Sequence, residues 1–409
     1  MADTPEDRKF SPMEKALPNI PNLDVDKDDA APPVEVAIDE KVTEEGGPAI
    51  TELADGGAEV NFDPNQVQPG NPDDHFANLA ELLPDNVLGP LASDLYEKHM
   101  DYKMSRKEWE STYTQGLDLL GFKYENRTQP FQGASGATHP VLAEAVTQFQ
   151  ALAYKELLPA AGPVRTQIMG MATPQKDQQS QRVKNYMNYM LMNQMEGYDE
   201  DFDRMLFYLP LAGSTFKKVY YDAVKQKPVS KFVQADDLLV PYSATNVEDA
   251  ECIIHVLKMS GNEIKKHQYG GFYRDVELSA PMYFEDPLKQ KEKELDGQRK
   301  TKPEDIYTLY ECHTNLNLEG FEDVNPQTGE PTDIKLPYVV TIDAGSRTVL
   351  SIRRNYAPND PTKKKIQYFV HFKFLPGLGF YGFGLIHMIG GLSRTATVAL
   401  RQLLDAGTL

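Results

Sequence analysis

The 409-residue sequence predicts an α+β chain, on three observations. Apolar residues recur at helical spacing over much of residues 92–206, the mark of helices with one buried face. Short alternating or apolar runs bounded by Pro, Gly and Asn fill residues 214–240 and 306–374, as antiparallel strands do. The charge is also lopsided: the formal net charge is −19, and residues 1–80 carry 19 Asp and Glu against 5 Lys and Arg. The acidity therefore belongs to an N-terminal arm, and the body is close to neutral. A chain of this length can bury several cores.

Taken in order, residues 1–75 are rich in Asp, Glu, Pro and Gly and have too little apolar surface to offset the entropy of ordering. They are expected to be disordered, with Ile50-Thr-Glu-Leu53 a short apolar element inside the arm. Order is expected from Phe76. Leu95, Met100, Trp109, Leu117 and Leu120 predict a helical layer over 92–120. Leu142, Val146, Phe149, Leu152 and Leu157 predict an amphipathic helix over 139–158, stopped by Pro159 and Gly162. The alternation in Val164–Met171 predicts a strand. Residues 175–206, with Tyr186, Met187, Tyr189, Met190, Met192 and Met195, predict a helix running past Gly197, its Met and Tyr filling an irregular core.

Strands are predicted at Ser214–Tyr221, Pro228–Val233 and Leu238–Val240 as a hairpin or small meander. Thr245 or Asn246 is a potential helix cap, and residues 249–259 fit either helix or strand. Ser260 or Asn262 precedes Glu263-Ile-Lys-Lys-His267, and the charged stretch 283–305 reads as an exposed excursion. Further strands are predicted at Ile306–His313, Tyr338–Asp343, Val349–Arg353 and Ile366–Phe374, followed by a glycine-rich stretch and a helix over Ser393–Asp405.

Two cysteines, Cys252 and Cys312, exclude a disulfide framework, and the acidic N-terminus has no targeting pattern. Cys252, His255, Cys312 and His313 are a conceivable zinc set. Adjacent Cys312 and His313 would face opposite sides of a strand, however, and no Cys-x-x-Cys knuckle is present. Gly377-Leu-Gly379-Phe-Tyr-Gly382 matches a dinucleotide-binding glycine pattern, but little chain follows it to supply the returning parallel strand. The uncharged run 374–393 is long enough for a membrane span, although it is dense in Gly and Pro and holds His387. No cofactor is expected. His387, Arg394 and Arg401 recur at seven-residue steps. They would form a basic stripe beside small residues on one helix, either a solvated face or a phosphate-facing one. Lys363-Lys-Lys365, on a loop before the last strand, has the same two readings.

Several blocks in order carry a resemblance. They are His139-Pro-Val-Leu-Ala-Glu-Ala-Val-Thr-Gln-Phe-Gln-Ala-Leu-Ala-Tyr-Lys-Glu-Leu-Leu-Pro159, Arg182-Val-Lys-Asn-Tyr-Met-Asn-Tyr-Met190, Leu211-Ala-Gly-Ser-Thr-Phe-Lys-Lys-Val-Tyr-Tyr221, Asp236–Ala250 and Gly382-Phe-Gly-Leu385. Together these blocks, over about residues 90–409, resemble the portal proteins of tailed bacteriophages, podovirus type. The resemblance implies a portal fold: a wing-like α+β region at 76–245, a wing or stem segment at 246–282, a clip-like β region at 283–376, and the start of a stem helix at 377–409. It implies a non-enzymatic, usually dodecameric ring at a capsid vertex of the virion, assembled in the host cytoplasm and not in a membrane. Double-stranded DNA would pass through the ring. Its partners would be the terminase large subunit, capsid and scaffolding proteins, then head-completion or tail adaptor proteins. His387, Arg394 and Arg401 become channel candidates and Lys363, Lys364 and Lys365 clip-loop candidates. Portals of this type continue beyond the stem helix, so the resemblance also implies a C-terminally truncated chain, expected to stay monomeric or to aggregate.

Overall fold

Sheet order in this protein departs from chain order, and that departure decides where the functional surfaces lie. A computed structural model describes residues 49–52, 58–61, 74–123, 126–222, 226–281, 286–298, 305–324 and 330–408. The chain divides into two units, residues 1–64 and 65–409. In the first, β1 (Ala49–Glu52) and β2 (Ala58–Asn61) pair antiparallel, with Ala49 opposite Asn61. That hairpin corrects the expectation of an arm without structure at those positions. The expectations for residues 1–48, 53–57 and 62–73 lie outside the described residues.

The second unit is α+β. After a short 3-10 helix (Leu79–Glu81) come α1 (Asp85–Ser105) and α2 (Lys107–Asp118), separated at Arg106. Then follow α3 (Val141–Leu157), α4 (Pro174–Tyr189) with a π-helical extension at Met190–Gln194, and α5 (Tyr198–Ala212). Thr173 caps α4 by accepting from the Lys176 N–H, with proline at the first helical position, the arrangement that best serves the unpaired donors of a helix start. The helix expected to run past Gly197 is broken there. Gly197 has φ 72°, a left-handed conformation that glycine adopts without steric cost, so the chain turns and α5 starts afresh.

Next come β3 (Ser214–Asp222), β4 (Lys227–Gln234), β5 (Leu238–Leu239), β6 (Cys252–Ser260), α6 (Gly261–Tyr269) and α7 (Pro287–Leu295). The chain ends with β7 (Ile306–Leu316), β8 (Leu336–Asp343), β9 (Val349–Arg354), β10 (Phe369–Lys373) and α8 (Leu385–Thr408). Ser260 and Glu263 form a reciprocal capping box at α6. Neither Thr245 nor Asn246 caps a helix, because residues 241–251 are turns, and the ambiguous 249–259 segment is mostly strand β6.

One antiparallel sheet has the order β5-β6-β7-β8-β9 and the other β10-β3-β4. The expected meander is therefore only the β3–β4 hairpin: β5 joins β6, while β10 returns to β3. Strands from the 76–245, 246–282 and 283–376 spans consequently share sheets. Four apolar clusters hold the described residues of the unit, the smallest around Ile264, Tyr273, Leu309 and Leu350. Leu88, Ala92 and Leu95 of α1 pack on Cys312, Val340 and Ile352. Phe216, Leu238, Ile253 and Phe369 form a second core, and Tyr113, Leu142, Val146, Leu211, Leu288 and Ile386 a third. Leu288 corrects the exposed-excursion expectation, since α7 inserts it among α2, α3 and α5 residues.

Candidate DNA-facing helix and its anchorage

Helix α8 is positioned by backbone contact. A Cβ on Gly384 would lie 2.3 Å from the Leu211 carbonyl oxygen, and one on Gly382 would lie 2.4 Å from that of Gly213. Only glycine allows approach this close. The Gly382 N–H donates to Ser214 Oγ at 2.7 Å, and Leu375 bridges Phe383. Gly382, the last glycine of the dinucleotide-like pattern, and Gly384 just after it thus press a loop onto the α5–β3 junction. Adjoining β10 is antiparallel to β3, so the motif is a packing loop and not a phosphate cradle between parallel strands. The uncharged run 374–393 is divided between this loop and the first turns of α8. No helix among the described residues is long and apolar enough to cross a membrane.

His387, Arg394 and Arg401 line one margin of α8, as their spacing predicts, but they are not equivalent. His387 Nδ1 accepts from the Gly384 N–H at 3.1 Å, filling one of the donors a helix start leaves free. Burial lowers its pKa, so it adds little positive charge at neutral pH. Arg401 donates from Nε to the Ala137 carbonyl at 2.7 Å and from Nη2 to Thr138 Oγ1 at 3.2 Å, while Asp405 accepts from the Ser135 N–H at 2.6 Å. Both tie the end of α8 to the loop before α3. Arg394 is exposed and is the member of the stripe whose charge is offered to solvent.

The outer face of α8 carries a signal that the stripe hid. Met388, Leu392, Val398 and Leu403 are exposed, Leu392 at 67% and Leu403 at 72%. Between them lie Gly391, Thr395, Ala399 and Gln402, also exposed. The opposite face buries Ile386, Ser393 and Thr397, with Ile386 against α2 where Gly116 leaves room for it. The first turn of α8 packs Leu385, Ile386 and Ile389 into the third core, whereas beyond it the inward face carries Ser393 and Thr397 and the apolar side chains of the outer face are left uncovered. Contiguous exposed apolar surface of this kind marks a contact with something else.

The lysine loop is similarly divided. Lys363 Nζ binds Asp323. Lys365 Nζ donates to the Ala250 carbonyl at 2.9 Å, and burial lowers its pKa. Lys364 is exposed, with its backbone N–H on Asp360. The Lys363-Lys-Lys365 patch therefore presents one unpaired side chain among the described residues.

Two buried ionic clusters that composition did not reveal join the elements. Between the sheets, Glu311 of β7 takes both carboxylate oxygens to Lys218 of β3, at 2.6 and 2.7 Å, and lies 2.7 Å from His313 Nε2. Burial alone would raise the Glu311 carboxyl, but Lys218, His255 and His313 outweigh it and hold it well below the ordinary range. Burial keeps His255 and His313 below theirs. Cys252 and Cys312 lie on the opposite face of the sheet, in the first apolar core. The zinc set is thus divided between faces, and no group of three metal-ligating side chains occurs among the described residues.

The second cluster surrounds Arg106, which donates to the carbonyls of Ala235, Asp236 and Leu238 and to the Tyr381 hydroxyl, and pairs with Glu110 at 2.7 Å. Alongside, Lys289 of α7 pairs with Asp236 at 2.8 Å and Asp237 at 3.0 Å. Burial, reinforced by Asp236, pushes the neighbouring Glu292 up to about 7.

Helix α4 is the other exception to self-sufficiency. None of its residues is buried, and Tyr186 is 60% exposed, which corrects the expectation that its Met and Tyr fill a core. Compared with models of known families and with curated proteins, the chain matches none.

Proposed function

We propose that the chain is a subunit of a phage portal ring at a capsid vertex, through which double-stranded DNA is packaged and ejected. In this reading α8 belongs to the stem and residues 76–245 to the wing. The strands of 283–376 belong to or flank the clip, and the terminase large subunit and later the head-completion or tail adaptors dock there. Capsid and scaffolding proteins contact the outside of the ring.

The observation that carries the reading is the outer face of α8, apolar and small from Met388 to Leu403, with Arg394 at its margin. Helices standing side by side in a ring cover each other's apolar faces, and a sparse positive charge at the edge attracts phosphates without reading sequence. A channel through which DNA slides must hold it weakly, which suits one free arginine per subunit better than a dense basic surface. The ordered blocks from His139 to Leu385 support the same assignment.

The test is Arg394→Glu in the gene carried by the phage. Assembled particles are expected to contain rings but less DNA, measured as nucleic acid per particle. Full DNA content with normal rings would remove Arg394 from the channel.

A further inference from the structure

The molecule holds an unpaired strand and an unpaired sheet edge. In β10, the Val219 N–H donates to the Tyr368 carbonyl at 2.8 Å and the Phe374 N–H to the Gly213 carbonyl at 3.0 Å. Even-numbered residues therefore face β3. The backbone N–H and C=O groups of Phe369 and His371 point the other way and have no hydrogen-bond partner among the described residues; Phe369 is buried, so the edge is offered at half-buried His371 and Lys373. β10 is an edge strand, and beside it runs a groove of about 340 Å³ whose far wall includes Asn246, Val247 and Glu248. Such an edge is a template for another strand.

The matching piece is residues 164–169: the strand expected over Val164–Met171 is not formed, and the segment runs outside both sheets. Val164, Thr166 and Ile168 are half-buried while Arg165, Gln167 and Met169 are exposed, Met169 at 91%, the period-two alternation of extended chain. Val164 is fixed at one end by both backbone groups to the Asn188 side chain, at 2.9 and 3.2 Å. The Thr166 hydroxyl is fixed to Ser180 of α4 at 2.8 Å. From Arg165 to Met169 the backbone groups have no partner among the described residues. Helix α4 thus serves as a splint that holds a strand open. The segment carries Arg165 and no acid, and the groove wall carries exposed Glu248.

We propose that residues 164–169 of one copy add as a further strand to the free edge of β10 in a second copy. The two surfaces differ, so the contact is head-to-tail, and repetition closes a ring or extends a filament. Main-chain hydrogen bonds would supply the affinity, and Arg165 beside Glu248 would help set the register. The inference rests on the ring reading above and names the contact that builds it.

Cys252 and Cys312 are both buried, so introduced cysteines would be the reactive ones with a short bifunctional maleimide. The full chain with both Gln167→Cys and Val370→Cys is expected to give a ladder of covalent multimers. A mixture of the two single variants should give dimers and nothing larger. Gln167→Pro removes one unpartnered N–H from an exposed position and should abolish the ladder and the oligomer in native mass spectrometry, leaving the far-ultraviolet circular dichroism of the chain unchanged. Rings that form without cross-linking and survive Gln167→Pro would overturn this contact alone. A cross-link confined within single chains would also overturn it. A chain that stays single at every concentration would overturn the contact, while the ring reading falls separately with the DNA content of Arg394→Glu particles.

Discussion

Helix α3 contrasts two regions within its own length. Leu142 and Val146 are fully buried in the core shared with α2, α5 and α8, whereas Leu152 is 64% exposed ten residues after Leu142. The same residue type at helical spacing is interior at one end and surface at the other. The contrast extends to the whole second unit. In the five-stranded sheet no large apolar side chain is exposed among the described residues, and Glu311 is paired with Lys218. Along α4, the end of α3 and the outer face of α8, apolar side chains remain outside. Apolar periodicity establishes that a helix has a face to cover, and does not say whether the cover comes from the same chain.

The largest test of that contrast is Arg106→Met. It removes a buried cation from three carbonyls and leaves Glu110 without its partner. It should cost about 3–5 kcal/mol, read as a drop in the denaturant midpoint, and a smaller drop would mean that water repairs the site. Leu142→Ala should cost about 3 kcal/mol. By contrast, Leu152→Ala in the isolated chain should stay within about 0.5 kcal/mol, so equal losses from the two would erase the distinction between the ends of α3.

The two ionic clusters should respond to pH in opposite senses. Glu292 has a raised pKa, so its stabilising contribution is full below the unfolded value of about 4.3 and is lost as pH rises through about 7. Glu311, His255 and His313 have lowered values. Their contribution is present above the unfolded values and is lost as pH falls through the folded ones. Glu292→Gln should therefore flatten the decline in stability between about pH 4.3 and about pH 7, by at least about 1 kcal/mol. An unaltered profile would place the titration elsewhere. The smallest expected effect on stability is that of Leu392→Glu, within about 0.5 kcal/mol. The same change should reduce self-association in sedimentation velocity.

Much of the fold was legible locally. The helix ending at Leu157, the hairpin from Ser214, the cap at Ser260 and the strands at 306–316, 336–343 and 349–354 follow from periodicity, turn residues and capping chemistry. The sheet assignment of β5 and β10 was not, because alternation tells which face of a strand is buried and nothing about its neighbour. The docking of α7 was hidden for a related reason: a run such as Lys289–Lys293 reads as solvated until Asp236 and Asp237 are seen beside Lys289. At the candidate site the spacing of His387, Arg394 and Arg401 was readable. Their inequality was not, since it depends on Gly384, Ala137 and Thr138, which are near two of them only in the fold.

The glycine contact at the start of α8 has a mechanical consequence. Gly382 and Gly384 meet Gly213 and Leu211 backbone to backbone, with no side chain between them to act as a cushion. A load applied along α8 is delivered at once to the first residue of β3, where Ser214 is fully buried and bonded to Gly382. From there it spreads through the three-stranded sheet. The joint is stiff, so motion of this helix is set by how far the sheet can turn as one piece.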